Sequence, residues 1–112
     1  MSIQARRGRD AVESYKVLAT AKLRLKEDFP LREFHFLDSV AKGATKIMLM
    51  GPDRVAQICN IAHSAPYYET AVEFLHDVVT IQHRMVGELI AAGCQYIQLD
   101  APSYTGYVAH GP

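Results

Sequence analysis

Neither sign of charge is in excess in this sequence: twelve Lys and Arg balance twelve Asp and Glu over 112 residues. No overall field therefore draws the chain toward nucleic acid or an anionic membrane surface. The local exception is the basic stretch QARRGR, Gln4 to Arg9. It has no interleaved aromatic residues on which bases would stack, so a solvated arm is the favoured reading and nucleic acid is not an expected partner. Apolar runs are short, none approaching the roughly 18 residues that span a bilayer. The N-terminus is polar and lacks the apolar core of a signal peptide. No membrane partner is expected. Cysteine is scarce too, with Cys59 and Cys94 each set in an apolar stretch. That argues against a disulfide scaffold and for buried free thiols in a reducing cytoplasm.

Motifs that announce chemistry are also missing. The sequence has no Cys-x-x-Cys, His-x-Cys or His-Glu-x-x-His, no glycine-rich phosphate loop and no Gly-x-Ser-x-Gly elbow. Internal repeats and low-complexity segments are absent as well.

What the chain does have is enough apolar residue, 49%, for the core of one small domain. Residues 10–25 read as a helix that runs into a short strand around Ala21–Leu25, and the triplet Asp28 to Pro30 breaks the pattern. LREFHFLDSVAKG then places Leu31, Phe34, Leu37 and Val40 or Ala41 on one helical face, closed by Gly43. TKIMLM, Thr45 to Met50, ends at Gly51-Pro52 as a buried parallel strand does. Asp53 is placed to cap a helix through Ala62.

The longest element is YYETAVEFLHDVVTIQHRMVGELIAAG. Val72, Leu75, Val79, Val86, Leu89 and Ile90 recur in it at helical spacing, with Met85 beside them. Gly93 stops it, and CQYIQLD follows as a second strand. The order predicts an α/β fold: a βαβ segment over 31–112, preceded by a helical arm over 1–30. Two parallel strands cannot cover their own edges, and a closed (β/α)8 barrel of the TIM type needs about 250 residues. The expectation is one partial-barrel domain spanning 1–112.

Among residues that could carry chemistry, the histidines do not assemble a metal site. His76 and His83 lie seven apart on one helix, roughly 10 Å along its axis, too far for one zinc ion with bonds of about 2 Å. Glu73 with His76, and Cys59 with His63, are possible pairs, but two ligands do not make a site. His35, between Phe34 and Phe36, reads as a partly buried structural histidine. No metal ligand and no catalytic residue is assigned. Asp100 is the candidate for binding, because an acid at the C-terminal end of a strand is where α/β enzymes contact substrate. Gln98 shares its face by the strand's period of two, and both would point into a barrel interior if Leu99 points to the helices. Tyr104 and Tyr107 follow, placed either to line a pocket or to pack.

AAGCQYIQLDAP, preceded by a long helix and by IMLMGP, resembles the C-terminal catalytic barrel of cobalamin-independent methionine synthase and related thiol methyl and alkyl transferases. The similarity runs from about Phe34 to Tyr107. It implies a (β/α)8 fold, a zinc-activated thiol acceptor and methyl transfer from a folate. Asp100 matches the family aspartate that binds the amino group of homocysteine. Ala101 stands where the family has a second acid, and Gly106 where methionine synthases carry a folate-contacting glutamate. Ile58 stands where those enzymes place a tryptophan on the pterin. The family's zinc ligands, a His-x-Cys pair, a glutamate and a later cysteine, come from strands this sequence does not contain. Relatives that alkylate other thiols therefore fit better than folate-dependent methionine synthesis.

The expectation is a substrate-binding strand for a small thiol or amino acid, with no cofactor held within this chain and no activity in isolation. The rest of the barrel, or further copies in a homo-oligomer, would be its partner. The alternative is a non-enzymatic, self-associating interaction module.

Overall fold

The computed structural model describes residues 17–110. It shows a mixed α/β arrangement around a two-stranded parallel sheet. In chain order the elements are α1 (Phe29–Val40), β1 (Ile47–Met50), α2 (Pro52–Gln57), a 3-10 turn (Ile61–His63), α3 (Ala71–Ala91), β2 (Ile97–Asp100) and α4 (Tyr104–His110). The strands pair in parallel, Ile47 with Ile97 through Met50 with Asp100. The parallel pairing expected between these two segments is present.

Local chemistry sets the helix ends. Thr70 accepts the N–H of Glu73 at 3.2 Å, and the Glu73 carboxylate reaches back to the N–H of Glu69 at 3.1 Å. This reciprocal pair in the sequence T-A-V-E starts α3 at Ala71, four residues later than the apolar pattern suggests. At the other end Gly93 takes φ +101°. Its N–H bonds to Ile90 O and that of Cys94 to Leu89 O, the paired bonds of a Schellman stop, which a residue with a Cβ would strain. Asp28 to Pro30, read from sequence as a break, begins α1: Asp28 accepts the N–H of Leu31 at 3.1 Å and Pro30 sits in the first turn.

Two apolar clusters lie at opposite ends of α3. Phe34, Ile47, Leu89 and Cys94 form one, with Leu37, Ala92 and Ile97 against it. Cys59, Tyr68, Phe74 and Val78 form the other, with Ala19, Leu23, Val55, Ala56 and Ile61. The buried stripe of α3 is thus Phe74, Val78 and Leu89, with Ile81 and Met85 half-buried between. The expected stripe is corrected: Val72, Val79 and Ile90 are exposed. The helix is apolar on two stripes, and among the described residues the fully buried positions lie on the one facing α1 and α2.

The helical arm is corrected as well. Residues 1–16 lie outside the described residues, but 17–25 form neither the expected helix nor the strand. Their backbone groups are taken by tertiary partners instead. Val17 N–H bonds to Ile58 O, and its carbonyl accepts from Asn60. Ala19 N–H bonds to Ser64 Oγ, and Leu23 N–H to the Tyr68 hydroxyl at 2.7 Å. An extended segment with Ala19 and Leu23 against the second cluster satisfies both its polar groups and its apolar side chains, which outweighs modest helix propensity. No described helix is long and apolar enough to cross a membrane.

Candidate functional site at the strand ends

In-register parallel pairing puts Ile47, Leu49, Ile97 and Leu99 on one face of the sheet and Met48, Met50, Gln98 and Asp100 on the other. The first face turns to the helices: Ile47 and Ile97 join the Phe34–Leu89 cluster, and Leu99 lines a groove with Val79 and Val86 of α3. Gln98 and Asp100 therefore share the face turned away from the helices, as the period of two required.

Asp100 is the last residue of β2 and its side chain is exposed. Gln98 is half-buried; its Oε1 accepts from Lys46 Nζ at 2.9 Å, and its Nε2 lies 3.9 Å from Met48 Sδ. Lys46 Nζ also sits 5.8 Å from the centre of the Tyr96 ring. The face thus carries, from one end to the other, a cation near a phenol ring, an amide beside the Met48 thioether, and a carboxylate. Lys46 escaped the sequence reading because TKIMLM looks like one apolar run. Counting in twos back from Met48 would have put it on this face.

The close approach of the two strand ends depends on Gly51. Its N–H donates to Asp100 O at 2.7 Å. A Cβ built there would lie 3.0 Å from both Ala101 Cβ and Asp100 O, and 2.9 Å from Asp53 Oδ1. Asp53 does not cap α2 as expected: Gly51 holds the cap position without a side-chain bond, and the helix ends at Gln57. Both Asp53 carboxylate oxygens are closed off from solvent without a hydrogen-bond partner among the described residues. Behind this turn the Gln57 amide donates to Ser103 Oγ at 3.1 Å, tying α2 to the loop after β2. The acid at the end of β1 was not recognised from sequence as part of the strand-end constellation, since an aspartate after Gly-Pro reads first as a cap.

The other sequence candidates are not gathered here. His76, His83 and Glu73 are exposed along α3. Cys59 is buried, 3.7 Å from Ser64 Oγ, whereas the exposed His63 ring pairs with Asn60 Oδ1. His35 is exposed beside Phe34, a correction to the partly buried role expected of it. Tyr104 is exposed in α4, and the Tyr107 side chain lies outside the described set. Among the described residues no group of three or more His, Cys, Asp or Glu could hold a metal ion. Cys59 and Cys94 are free and buried.

An open cleft of about 490 Å³ lies at the opposite, N-terminal end of the strands, lined by Phe34, Asp38, Thr45, Gln95 and Tyr96. Ligands in parallel α/β sheets gather at the carboxyl ends of strands, so the Asp100 end is the better candidate. No family model matches the chain, and no curated protein or solved structure matches it.

Proposed function

We propose that the helix-free face of the β1–β2 pair is a recognition surface for a small amino-acid thiol. It would serve as the substrate-binding part of an alkyltransferase-like barrel whose remaining strands lie outside this chain. The observation that carries this reading is the placement of Gln98 and Asp100 together on the open face, with Asp100 at the carboxyl end of its strand. A carboxylate there holds a ligand ammonium. The amide two residues back, at about 3.3 Å per residue, offers a donor and an acceptor to the next polar group. Zinc, which in the resembled family lowers the thiol pKa, does not fit the donors in hand. Among the described residues no cluster of metal-binding side chains accompanies Asp100, and no step of thiol activation is assigned to them.

Calorimetric titration of homocysteine into the protein tests the proposal. Measurable binding that weakens about 10-fold or more in Asp100→Asn is expected, the loss of one charge-assisted hydrogen bond. No binding, or equal binding by the variant, would remove the reading.

A second reading, a self-associating interaction module, is favoured by one specific contrast. Leu49 and Leu99 are register partners on the same face, yet Leu49 is 6% exposed and Leu99 55%. The helices bury both Ile47 and Leu49 of β1, but on β2 they reach Ile97 and leave Leu99 largely open.

A further inference from the structure

The geometry points to β2 as the edge through which two copies of this chain join, antiparallel, into a four-stranded sheet of order β1-β2-β2-β1. This rests on the self-association reading.

The backbone fixes which groups are offered. Ile47 N–H bonds to Tyr96 O and Gly51 N–H to Asp100 O, so Tyr96, Gln98 and Asp100 turn their backbone groups inward to β1. By alternation, Ile97 and Leu99 direct theirs to the other edge of β2. On the helix side of the strand ends a mostly apolar groove of about 210 Å³ separates Leu99 from α3, lined by Pro52, Val79, Gln82, His83 and Val86. Among the described residues nothing pairs with these donors and acceptors, and such an edge beside exposed apolar surface is what a further strand would cover.

A second copy of this chain fits that strand, and symmetry selects how it lies. Adding it in parallel is a head-to-tail contact that leaves a fresh edge each time, whereas a two-fold axis through the edge closes the assembly. In the antiparallel arrangement, with the axis at Gln98, Ile97 of each copy pairs with Leu99 of the other, each pair exchanging both of its backbone bonds. Leu99 then meets Ile97 of the second copy at the mouth of the groove. Asp100 comes to lie across from Tyr96 of the second copy, the ring that carries the Lys46 ammonium. The carboxylate therefore faces a cation rather than its own like. Gln98 meets Gln98 at the axis on the open face, as a non-hydrogen-bonded pair with Cα atoms about 4.5 Å apart.

Two variants of the full chain test this register. Gln98→Cys places thiols at a spacing a disulfide accepts, about 4.4 to 6.8 Å between Cα atoms. With oxidised glutathione as electron acceptor, it is expected to give a covalent dimer that reduction reverses. Leu99→Pro removes an N–H that faces the open edge and not β1, so the fold persists, checked by circular dichroism, while the dimer weakens at least 10-fold by light scattering. A wild-type protein that stays monomeric at about 100 µM, where even a weak dimer would be populated, would overturn both the edge and the self-association reading. A dimer indifferent to Leu99→Pro, or one in which Gln98→Cys fails to cross-link, would overturn the edge alone and leave self-association standing through another surface.

Discussion

Tyr68 is fully buried, and its hydroxyl does two things at once: it donates to Asp77 Oδ2 at 2.6 Å and accepts the N–H of Leu23 at 2.7 Å. Burial first, and the neighbouring Asp77 carboxylate next, push the phenol above its ordinary pKa, so it remains a donor throughout the neutral range. Tyr68→Phe keeps the ring against Phe74 but strands both partners. A loss of about 1–3 kcal/mol in urea unfolding is expected, the cost of leaving buried groups unpaired, with faster amide exchange at Leu23. Gly51 makes the same kind of argument for the site. A methyl group there meets Ala101 Cβ and Asp100 O, neither of which can swing aside as the Asp53 side chain can. Gly51→Ala should cost about 1–3 kcal/mol and shift the Asp100 amide resonance. If that resonance stays in place, the strand ends do not depend on this close approach. At this scale the face shared by Gln98 and Asp100 was legible because a period of two needs no tertiary information. The burial of Asp53 was not, because it depends on how a turn folds back on the strand ends.

Among the elements, α1 and α3 meet at a pair of acids. Asp28 Oδ1 is occupied by the N–H of Leu31, while Oδ2 is closed off from solvent without a hydrogen-bond partner among the described residues. Burial, and then the adjacent Glu88 carboxyl, raise Asp28 above the usual carboxylate range. Glu88 is held below it, by Asp28 and then by Arg84, whose Nε lies 3.1 Å from Glu88 Oε1. Each carboxyl acts on the other, Asp28 holding its proton more firmly and Glu88 less, so the two shifts have opposite directions. As pH rises from acid, the folded state therefore releases the Asp28 proton later than the unfolded chain does. Its contribution to stability is therefore present at low pH and is lost as pH rises through the raised value. The lowered Glu88 acts oppositely, favouring the folded state as pH rises. Asp28→Asn keeps an equally good cap and supplies a permanent donor. Its stability relative to wild type should therefore grow from acid to neutral pH in urea titrations. Asp28→Ala, without the cap, should lose about 1 kcal/mol. A relative stability of Asp28→Asn that is flat with pH would dissociate the two carboxyls. The elements themselves were readable where local chemistry decides: Gly93 stops α3, and the two short strands pair in parallel. They were misread where an element has two apolar stripes, as α3 does, or where tertiary hydrogen bonds to Ser64 and Tyr68 hold residues 17–25 extended.

For the whole molecule, the two apolar clusters flank α3, yet Met48, Met50, Leu99, Val79 and Ile90 remain exposed. Leaving such surface in water costs about 25 cal/mol per Å², a cost that association relieves. If unfolding is coupled to dissociation of two copies, mass action makes the melting temperature depend on protein concentration. Each tenfold increase adds about 1.4 kcal/mol per mole of dimer, spread over the unfolding entropy of two chains. The expected rise is about 3 °C per tenfold concentration, measured by calorimetry over two decades. Neutral overall charge offers no long-range repulsion to oppose it, so the shift should survive a change from low to moderate salt. A melting temperature independent of concentration would mean that the exposed stripe of α3 and the uncovered edge of β2 are stable in water as they stand.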